Sequence, residues 1–286
     1  MSRHYLGLQD ASVLATRDLL LTGRAIADLI ESEAMGAVVG PAGLGKTFAI
    51  EHALAGREEQ VITLTFEARP TMRLVADRLL VAMTGAPGHG TRFAMTDQLL
   101  NRLSDRRRLV VIGEAQNLNR DCFEYLRHLH DDPATRFALL FDGGDGCWEV
   151  LAREPMLRSR IYRRVAFRAL SDTDVLSLIP GYHPIYVDAD PELLVLINDK
   201  AANGRLRSWA AFTQTASLIC RGLGTKSGST RRSPATRSPN SAPRGERNGR
   251  GNRRPRRRHR HGEGDPRAGS AAARRARRQH RPRRAI

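Results

Sequence analysis

Cysteine is scarce in this chain, which contains only Cys122, Cys147 and Cys220 among its 286 residues. Their spacing matches neither a zinc-binding motif nor the dense framework of a small disulfide-stabilised domain. Such cysteine usage is typical of proteins that are kept in a reducing compartment. We therefore expect a cytoplasmic protein without a disulfide framework.

Long apolar runs are also missing. No segment approaches the ~18 consecutive apolar residues that a membrane-spanning helix needs. The first thirty residues lack the apolar stretch of a signal peptide, because charged residues interrupt them repeatedly. These charges are Arg3, Asp10, Arg17, Asp18, Arg24 and Asp28. The sequence therefore predicts no contact with a membrane and no export signal.

Aromatic residues are absent from the segment 225–286, and its only large aliphatic residue is Ile286. Of the 47 basic and 30 acidic residues of the chain, this segment holds 21 and 3, a net charge of +18. Residues 1–224 keep 26 basic and 27 acidic residues, a net charge of −1. The sequence thus predicts a nearly neutral folded body, followed by a basic tail that cannot bury a core and is disordered.

The composition of the tail supports two interpretations. A disordered polycation binds nucleic acid nonspecifically by neutralising phosphates, and without aromatic residues it has no means of stacking on bases. Alternatively, the change to Arg, Pro, Gly and Ala near Gly224 resembles a coding sequence of high GC content read in the wrong frame. In that case the tail would have no selected role, although it would still attract DNA.

The stretch of residues 40–47 reads G-x-x-x-x-G-K-T, the phosphate-binding loop called Walker A. An apolar run suited to a buried strand precedes it, and a helix-forming run follows it. Glycines allow consecutive backbone N–H groups to face one anion, and the helix N-terminus adds a partial positive charge. The predicted nucleotide-binding residues are Gly40, Pro41, Ala42, Gly43, Leu44, Gly45, Lys46 and Thr47.

The remaining pattern predicts strands that alternate with helices, which indicates a parallel sheet with helices on both faces. The predicted strands are 37–39, 61–66, 109–112, 137–141 and 165–167. A helix over 10–33 precedes them and is interpreted as a packing helix, with a position over the nucleotide as the alternative. The predicted division is a helical segment 1–34, a nucleotide-binding core 35–170, a helical lid 171–224 and the tail 225–286.

Three further motifs, in this order, resemble those of the AAA+ ATPases. Glu114-Ala115-Gln116 follows an apolar strand as the end of a Walker B motif does. Residues 156–161 resemble the stretch that carries an arginine finger, and residues 204–207 read G-x-x-R, like the sensor 2 motif. The resemblance covers about residues 10–221 and is greatest to the branch of phage Mu B-type transposition ATPases, general-secretion ATPases and origin-recognition proteins.

The resemblance implies a P-loop NTPase (AAA+) fold and a role for each matching residue. Glu114 would orient or deprotonate the attacking water, and Arg207 would reach the phosphates from the lid. Arg160, or alternatively Arg158, would contact the γ-phosphate held by a neighbouring subunit. Asp145, with Asp142 as the second choice, stands where the sensor 1 residue is expected. For each of these residues the alternative is an ordinary surface charge or turn residue.

The resemblance also implies ATP and Mg²⁺ as ligands, with the Thr47 hydroxyl on the metal. One departure concerns the metal: the position of the usual Walker B aspartate is Gly113, which has no side-chain oxygen. Mg²⁺ normally retains several waters, so we expect nucleotide binding to survive. Efficient hydrolysis is the doubtful step, and we expect Gly113→Asp to raise turnover.

Two functions follow from the resemblance. The first is a DNA-associated ATPase accessory to transposition, which would form a homo-oligomer on double-stranded DNA and cooperate with a transposase. The second is an ATP-dependent DNA-binding switch that hardly hydrolyses ATP, as Gly113 suggests. A secretion-type ATPase is a further alternative, because the motifs of this fold serve many processes.

Overall fold

The computed structural model describes residues 5–57 and 61–227, which belong to one compact unit. Residues 228–286, and with them almost all of the basic tail, lie outside the described residues. Five parallel strands form a sheet in the order β2-β3-β4-β1-β5. The strands are β1 (Met35–Val39), β2 (Val61–Thr65), β3 (Arg108–Gly113), β4 (Phe137–Gly143) and β5 (Ile161–Ala166). The prediction of a five-stranded parallel sheet is confirmed.

Helices cover both faces of this sheet and continue after its last strand. The helices of the sheet region are α1 (Arg17–Ser32), α2 (Lys46–Leu54), α3 (Met72–Thr84), α4 (Arg92–Ser104), α5 (Arg120–Asp131), α6 (Cys147–Ala152) and α7 (Pro155–Arg158). The helices after β5 are α8 (Asp172–Leu178), α9 (Pro191–Ile197) and α10 (Leu206–Ser227). Among the described helices, none is long and apolar enough to span a membrane.

Side chains of β3 and β4 alternate between two hydrophobic cores, because successive residues of a strand point to opposite faces. Val110 and Ile112 belong to the core that α3, α4 and α5 cover. Leu109 and Val111 belong to the core under α1 and α2. This alternation explains the continuous apolar run of β3, which is the sequence pattern of a strand buried on both faces.

A third core lies under the helices that follow β5. Its residues come from α8, α9, α10 and the turns between them, with the fully buried Trp209 as its largest side chain. The N-terminal segment also contributes to it, since Leu8 is a buried member. Residues 5–16 thus pack with helices that lie more than 150 positions further along the chain, and α1 then packs on the sheet. The predicted helical segment 1–34 is therefore divided between two cores, since its first part packs with the lid helices and α1 packs on the sheet.

Two element boundaries differ from the sequence prediction in ways that matter for function. Helix α1 begins at Arg17 and not near Asp10, because the Thr16 hydroxyl caps it by accepting a hydrogen bond from Leu19 N at 3.2 Å. Strand β4 runs to Gly143 and not only to Phe141. Asp142 is therefore a strand residue, whose side chain points to one face of the sheet, whereas the sequence suggests a turn residue.

Candidate functional site

The loop between β1 and α2 has the backbone conformation that its glycines permit. Gly40, Gly43 and Gly45 have φ values of 142°, 84° and 94°. Residues with a Cβ atom rarely adopt positive φ values of this kind. A Cβ atom at Gly40 would also lie only 2.7 Å from the carbonyl oxygen of Phe167. The glycines are therefore required by the shape of the loop, which lies directly before the N-terminus of α2.

Lys46 folds back over this loop. Its Nζ donates hydrogen bonds to the carbonyl oxygens of Gly40 at 2.7 Å and Pro41 at 2.9 Å. Burial lowers the pKa of Lys46, while the negative charges of Asp142 and Glu114 act in the opposite direction. An ammonium group held over the loop in this way is placed to attract a phosphate.

A cavity of about 390 Å³ opens beside the loop. Polar groups from the loop, β3 and β4 form one part of its lining, including Lys46, Thr47, Glu114 and Asp142. Apolar side chains form another part, including Leu14, Leu19, Phe167, Leu206 and Ala210. A cavity with one charged part and one apolar part has the chemistry to hold a phosphorylated ligand with an aromatic base.

Glu114 stands at the cavity directly after β3, in the left-handed backbone region with φ 53°. The Gln116 side chain connects it to the next strand: its Nε2 donates to Glu114 Oε2, and its Oε1 accepts from Gly144 N at 3.1 Å. The Gln116 amide thus holds the Glu114 carboxylate at the carboxyl ends of β3 and β4. The sequence motif contains Gln116, but sequence reasoning assigned it no role.

The structure separates the two candidates for the polar residue after β4. Asp142 lines the cavity from the strand itself, and its Oδ1 is buried without a hydrogen-bond partner among residues 5–57 and 61–227. Burial, the largest influence, raises the pKa of Asp142 to about 6, while the Lys46 charge opposes the shift. Asp145 is exposed in the following turn and does not line the cavity. The geometry therefore favours Asp142, the less preferred candidate of the sequence analysis.

The lid closes the cavity from the other side. The backbone N–H of Arg207 donates to the carbonyl oxygen of Gly43 at 2.9 Å. A Cβ atom at Gly43 would lie 3.3 Å from Arg207 Cβ, and one at Gly45 would lie 3.1 Å from Leu206 Cδ1. The first turn of α10 thus rests on the phosphate loop, and Arg207, the arginine of the G-x-x-R motif, is among the residues that line the cavity.

Residues 12–19 supply a further wall, which the sequence analysis offered only as the alternative position of the first helix. Ser12, Leu14, Thr16 and Leu19 line the cavity, and Ser12 N donates to the carbonyl oxygen of Tyr182 in the lid at 2.8 Å. Most of α1 is a packing helix, as the preferred interpretation has it, because Ala25, Ile26 and Leu29 lie in the core. The first turn of α1 and the segment before it instead lie at the cavity, in the position that the alternative interpretation gives to the whole helix.

Neither candidate for the arginine finger lines the cavity of its own chain. The Arg160 guanidinium binds both carboxylate oxygens of Asp131, each at 2.8 Å. Arg158, at the end of α7, is exposed and has no ion pair within the described part of the chain. Both positions are compatible with a contact to a second subunit, and Arg158 needs no existing ion pair to be broken for it.

The groups around the cavity fit a nucleotide with Mg²⁺. In the described ranges, no three His, Cys, Asp or Glu side chains cluster in a way that could hold a metal without other ligands. A metal at this place would therefore need phosphate oxygens and water, which is the usual environment of Mg²⁺. The protein offers the Thr47 hydroxyl and the unpartnered Asp142 Oδ1 as oxygen atoms beside Lys46.

Comparisons with known proteins agree with this geometry. Residues 29–158 match the model of a family described as AAA domain. In structure, the chain is similar to the ORC2 protein of Aeropyrum pernix in ADPNP–ADP complexes, with a TM-score of 0.56 and 16% identity over 75% of this chain. It is also similar to Cdc6p of Pyrobaculum aerophilum, with a TM-score of 0.58 and 15% identity over 75% of this chain.

A third similar structure is the A. pernix ORC1 protein in complex with DNA, with a TM-score of 0.51 and 17% identity over 74% of this chain. The chain spans 65%, 64% and 62% of the lengths of ORC2, Cdc6p and ORC1, less than two thirds of each. No curated protein matches the chain in sequence. Together, the family match and these structures show an AAA+ P-loop NTPase fold.

Proposed function

We propose that this chain, which has the AAA+ fold, binds ATP with Mg²⁺ in the cavity beside the phosphate loop and hydrolyses it to ADP and phosphate. We further propose that it acts as an oligomer on DNA, as an accessory to transposition. The observation that carries the ATPase proposal is the convergence of Lys46, Glu114, Asp142 and Arg207 on a single cavity. Each comes from a different segment of the chain.

The geometry supports a specific role for each group. Lys46 would exchange its two carbonyl partners for phosphate oxygens, a stronger interaction because both partners are charged. Glu114, held by Gln116, would accept a proton from the attacking water or orient it. Arg207 would neutralise phosphate charge from the lid, whose backbone already contacts the loop. These residues bind and orient, and bound Mg²⁺ would supply charge neutralisation between the phosphates.

The oligomeric part of the proposal is supported by the position of the finger candidates. An arginine that stabilises the transition state in trans must lie on the surface, away from the cavity of its own chain. Arg158 meets this requirement, since it is exposed and lacks an ion pair in the described residues. Arg160 would first have to leave Asp131. We therefore propose Arg158 as the finger and Arg160 as a structural arginine.

The DNA part of the proposal is supported by two observations of different kinds. One structural neighbour, ORC1 of A. pernix, was solved in complex with DNA. The tail of this chain also carries a net charge of +18, which favours any polyanion. The first observation suggests DNA binding by the folded body and the second suggests nonspecific attraction by the tail, so an experiment must separate them.

A second candidate function, a DNA-binding switch that hydrolyses ATP poorly, is favoured by Gly113 alone. A Cβ atom at this position would lie 2.9 Å from Thr65 Oγ1, so the neighbouring side chain occupies part of the space of an aspartate. Thr65 is exposed and can rotate, so the site could accept the aspartate. The two candidates differ only in the rate of hydrolysis.

The ATPase proposal is tested with Lys46→Ala and Glu114→Gln. We expect Lys46→Ala to weaken ATP binding about 100-fold, which corresponds to ~2.8 kcal/mol. We expect Glu114→Gln to retain ATP affinity and to lose turnover by on the order of 10²–10³, as removal of one catalytic group often does. Titration with a fluorescent ATP analogue and a phosphate-release assay measure the two effects. Unchanged ATP affinity in Lys46→Ala would refute the assignment of the cavity.

The DNA proposal is tested by comparing the full chain with a chain that ends at Ser227. If the tail neutralises ~6–10 phosphates, the full chain should lose on the order of 10³–10⁵ in duplex affinity between 50 and 200 mM salt. The shortened chain should bind DNA more weakly, with a smaller salt dependence and a requirement for ATP. If it binds no duplex with ATP under any salt condition, the body has no DNA-binding function of its own.

A further inference from the structure

Asp142 and Gly113 occupy neighbouring positions on the same face of the sheet. In the pairing of β3 with β4, Val111 lies beside Leu140 and Ile112 beside Phe141. One step further along both strands, the parallel register brings Gly113 beside Asp142. On its other side, Asp142 pairs with Val38 of β1, the strand that leads into the phosphate loop.

The face they share is the one that carries the phosphate loop. Val111, Leu140 and Val38 belong to the core under α1 and α2. Side chains two residues apart in a strand point the same way, so position 113 follows Val111 and position 142 follows Leu140. A carboxylate is missing at the end of β3 and present at the end of β4, one strand closer to β1.

One carboxylate oxygen of Asp142 is left without a partner by the described residues. This atom, Oδ1, is buried and accepts no hydrogen bond from them. Within the described residues it forms no ion pair with Lys46, whose Nζ bonds to the carbonyl oxygens of Gly40 and Pro41 instead. A buried carboxylate oxygen without a partner is costly, and such atoms are usually retained where they bind a ligand or a metal.

We propose that Asp142 replaces the carboxylate that Gly113 lacks, and that it holds the hydrated Mg²⁺ of a bound nucleoside triphosphate from β4. This inference rests on the proposed function, because it assumes that a triphosphate occupies the cavity. It differs from the sensor 1 assignment that the family resemblance implies for the residue after β4. It also predicts that the chain hydrolyses ATP in spite of Gly113.

The proposal makes a prediction about binding that does not involve turnover. Without metal, the negative charge of Asp142 repels the phosphates, so Asp142→Asn should bind metal-free nucleotide as tightly as the wild type or more tightly. With metal, the same substitution removes a ligand or a partner of a metal-bound water, which typically costs 10–100-fold in metal affinity. A residue that only supports the fold would instead weaken nucleotide binding in both conditions.

The test measures Mn²⁺ affinity by electron paramagnetic resonance, in the complex of the full chain with a non-hydrolysable ATP analogue. Analogue affinity is measured separately in the presence of EDTA. We expect Asp142→Asn to lower Mn²⁺ affinity at least tenfold and to leave metal-free binding intact. The matched control is Asp97→Asn, which changes an exposed aspartate on α4 outside the cavity. The control should resemble the wild type in both measurements.

A second variant tests whether the carboxylate can change strands. Because position 113 is adjacent and Thr65 can rotate, Gly113→Asp combined with Asp142→Asn should restore Mn²⁺ affinity to within about threefold of the wild type. Equal Mn²⁺ affinities of the wild type and Asp142→Asn would overturn the proposal, as would parallel losses of metal and metal-free binding. If the wild type itself bound no analogue in EDTA or with Mn²⁺, the proposed function would fail. This outcome differs from the two results that overturn only the role of Asp142.

Discussion

The two walls of the nucleotide cleft are built in different ways. The sheet wall consists of the phosphate loop and the ends of β3 and β4, and its strands are buried on both faces. The lid wall combines the start of α10 with Tyr182 and residues 12–19, and it has a hydrophobic core of its own. The sheet wall carries the groups for chemistry, whereas the lid wall carries Arg207 and much of the apolar surface.

The difference indicates which wall can report the state of the nucleotide. Strands β3 and β4 are held by hydrogen-bonded neighbours on both sides, so we expect little movement at their ends. Among the backbone hydrogen bonds described, the lid contacts the other wall through Arg207 N to the Gly43 carbonyl oxygen. A nucleotide whose phosphates bind to the loop would alter this hydrogen bond. We therefore expect nucleotide-dependent movement to occur in the lid.

The largest expected effect comes from Trp209, the centre of the lid core. Trp209→Ala should cost about 3–5 kcal/mol of stability, the usual range for a buried aromatic, and should weaken ATP binding because Arg207 loses its support. Urea unfolding and ATP titration measure the two effects. The matched control is Trp148→Ala, since Trp148 is only partly buried and packs on the sheet core. Equal losses of ATP affinity in both variants would show that the lid has no separate role.

An intermediate effect is expected for Arg207. Arg207→Ala should reduce ATP affinity about tenfold, or ~1.4 kcal/mol, and ADP affinity less, because the guanidinium would interact mainly with the outer phosphates. The backbone contact to Gly43 survives the substitution, so the lid should stay docked. Arg153→Ala, which removes an exposed arginine outside the cavity, is the control and should bind as the wild type does. A loss for ADP as large as that for ATP would contradict the assignment.

The smallest expected effect is the dependence of stability on pH that His130, a residue beside the sheet, causes. His130 packs edge-on against Phe137 at the start of β4, and burial, despite Asp131 and Glu33, lowers its pKa below the usual 6.5. The unfolded chain therefore takes up a proton that the folded chain resists. The contribution of His130 to stability should fall as the pH decreases below about 6.5, until the lowered pKa of the folded state is reached. Asp142, whose pKa is raised to about 6, contributes in the opposite direction as the pH falls, so the His130 effect is read as the difference between variant and wild type.

This dependence is measured as the urea midpoint between pH 7.5 and 5.5. His130→Gln should show a weaker dependence than the wild type, because it removes the buried titrating group. His128→Gln removes an exposed histidine of the same helix and should leave the dependence unchanged. Identical profiles for the two variants would mean that another group causes the acid sensitivity.

The sheet wall was largely predictable from the sequence, whereas in the lid wall only the G-x-x-R motif pointed to a residue, Arg207. Gly40, Lys46 and Glu114 lie in local motifs whose spacing is set by a strand, a loop and a helix, so their positions follow from periodicity. The direction of the Asp142 side chain depends on where β4 ends. The end of this strand is set by its pairing with β1 and β3, and a local sequence pattern does not contain that information. The contribution of residues 12–19 depends on packing with the distant lid, so the sequence could offer a position over the nucleotide only as an alternative for the helix as a whole.

The crossing of the N-terminal segment into the lid also constrains how the protein folds. Leu8 belongs to the same core as Trp209, so this core joins residues about 200 positions apart. Such distant contacts slow folding, because a long loop must close before the contact is gained. During synthesis, the sheet can pair once β5 has emerged, but the apolar part of the cleft must wait for α10. A newly made chain would therefore acquire its phosphate loop before it can retain a nucleotide.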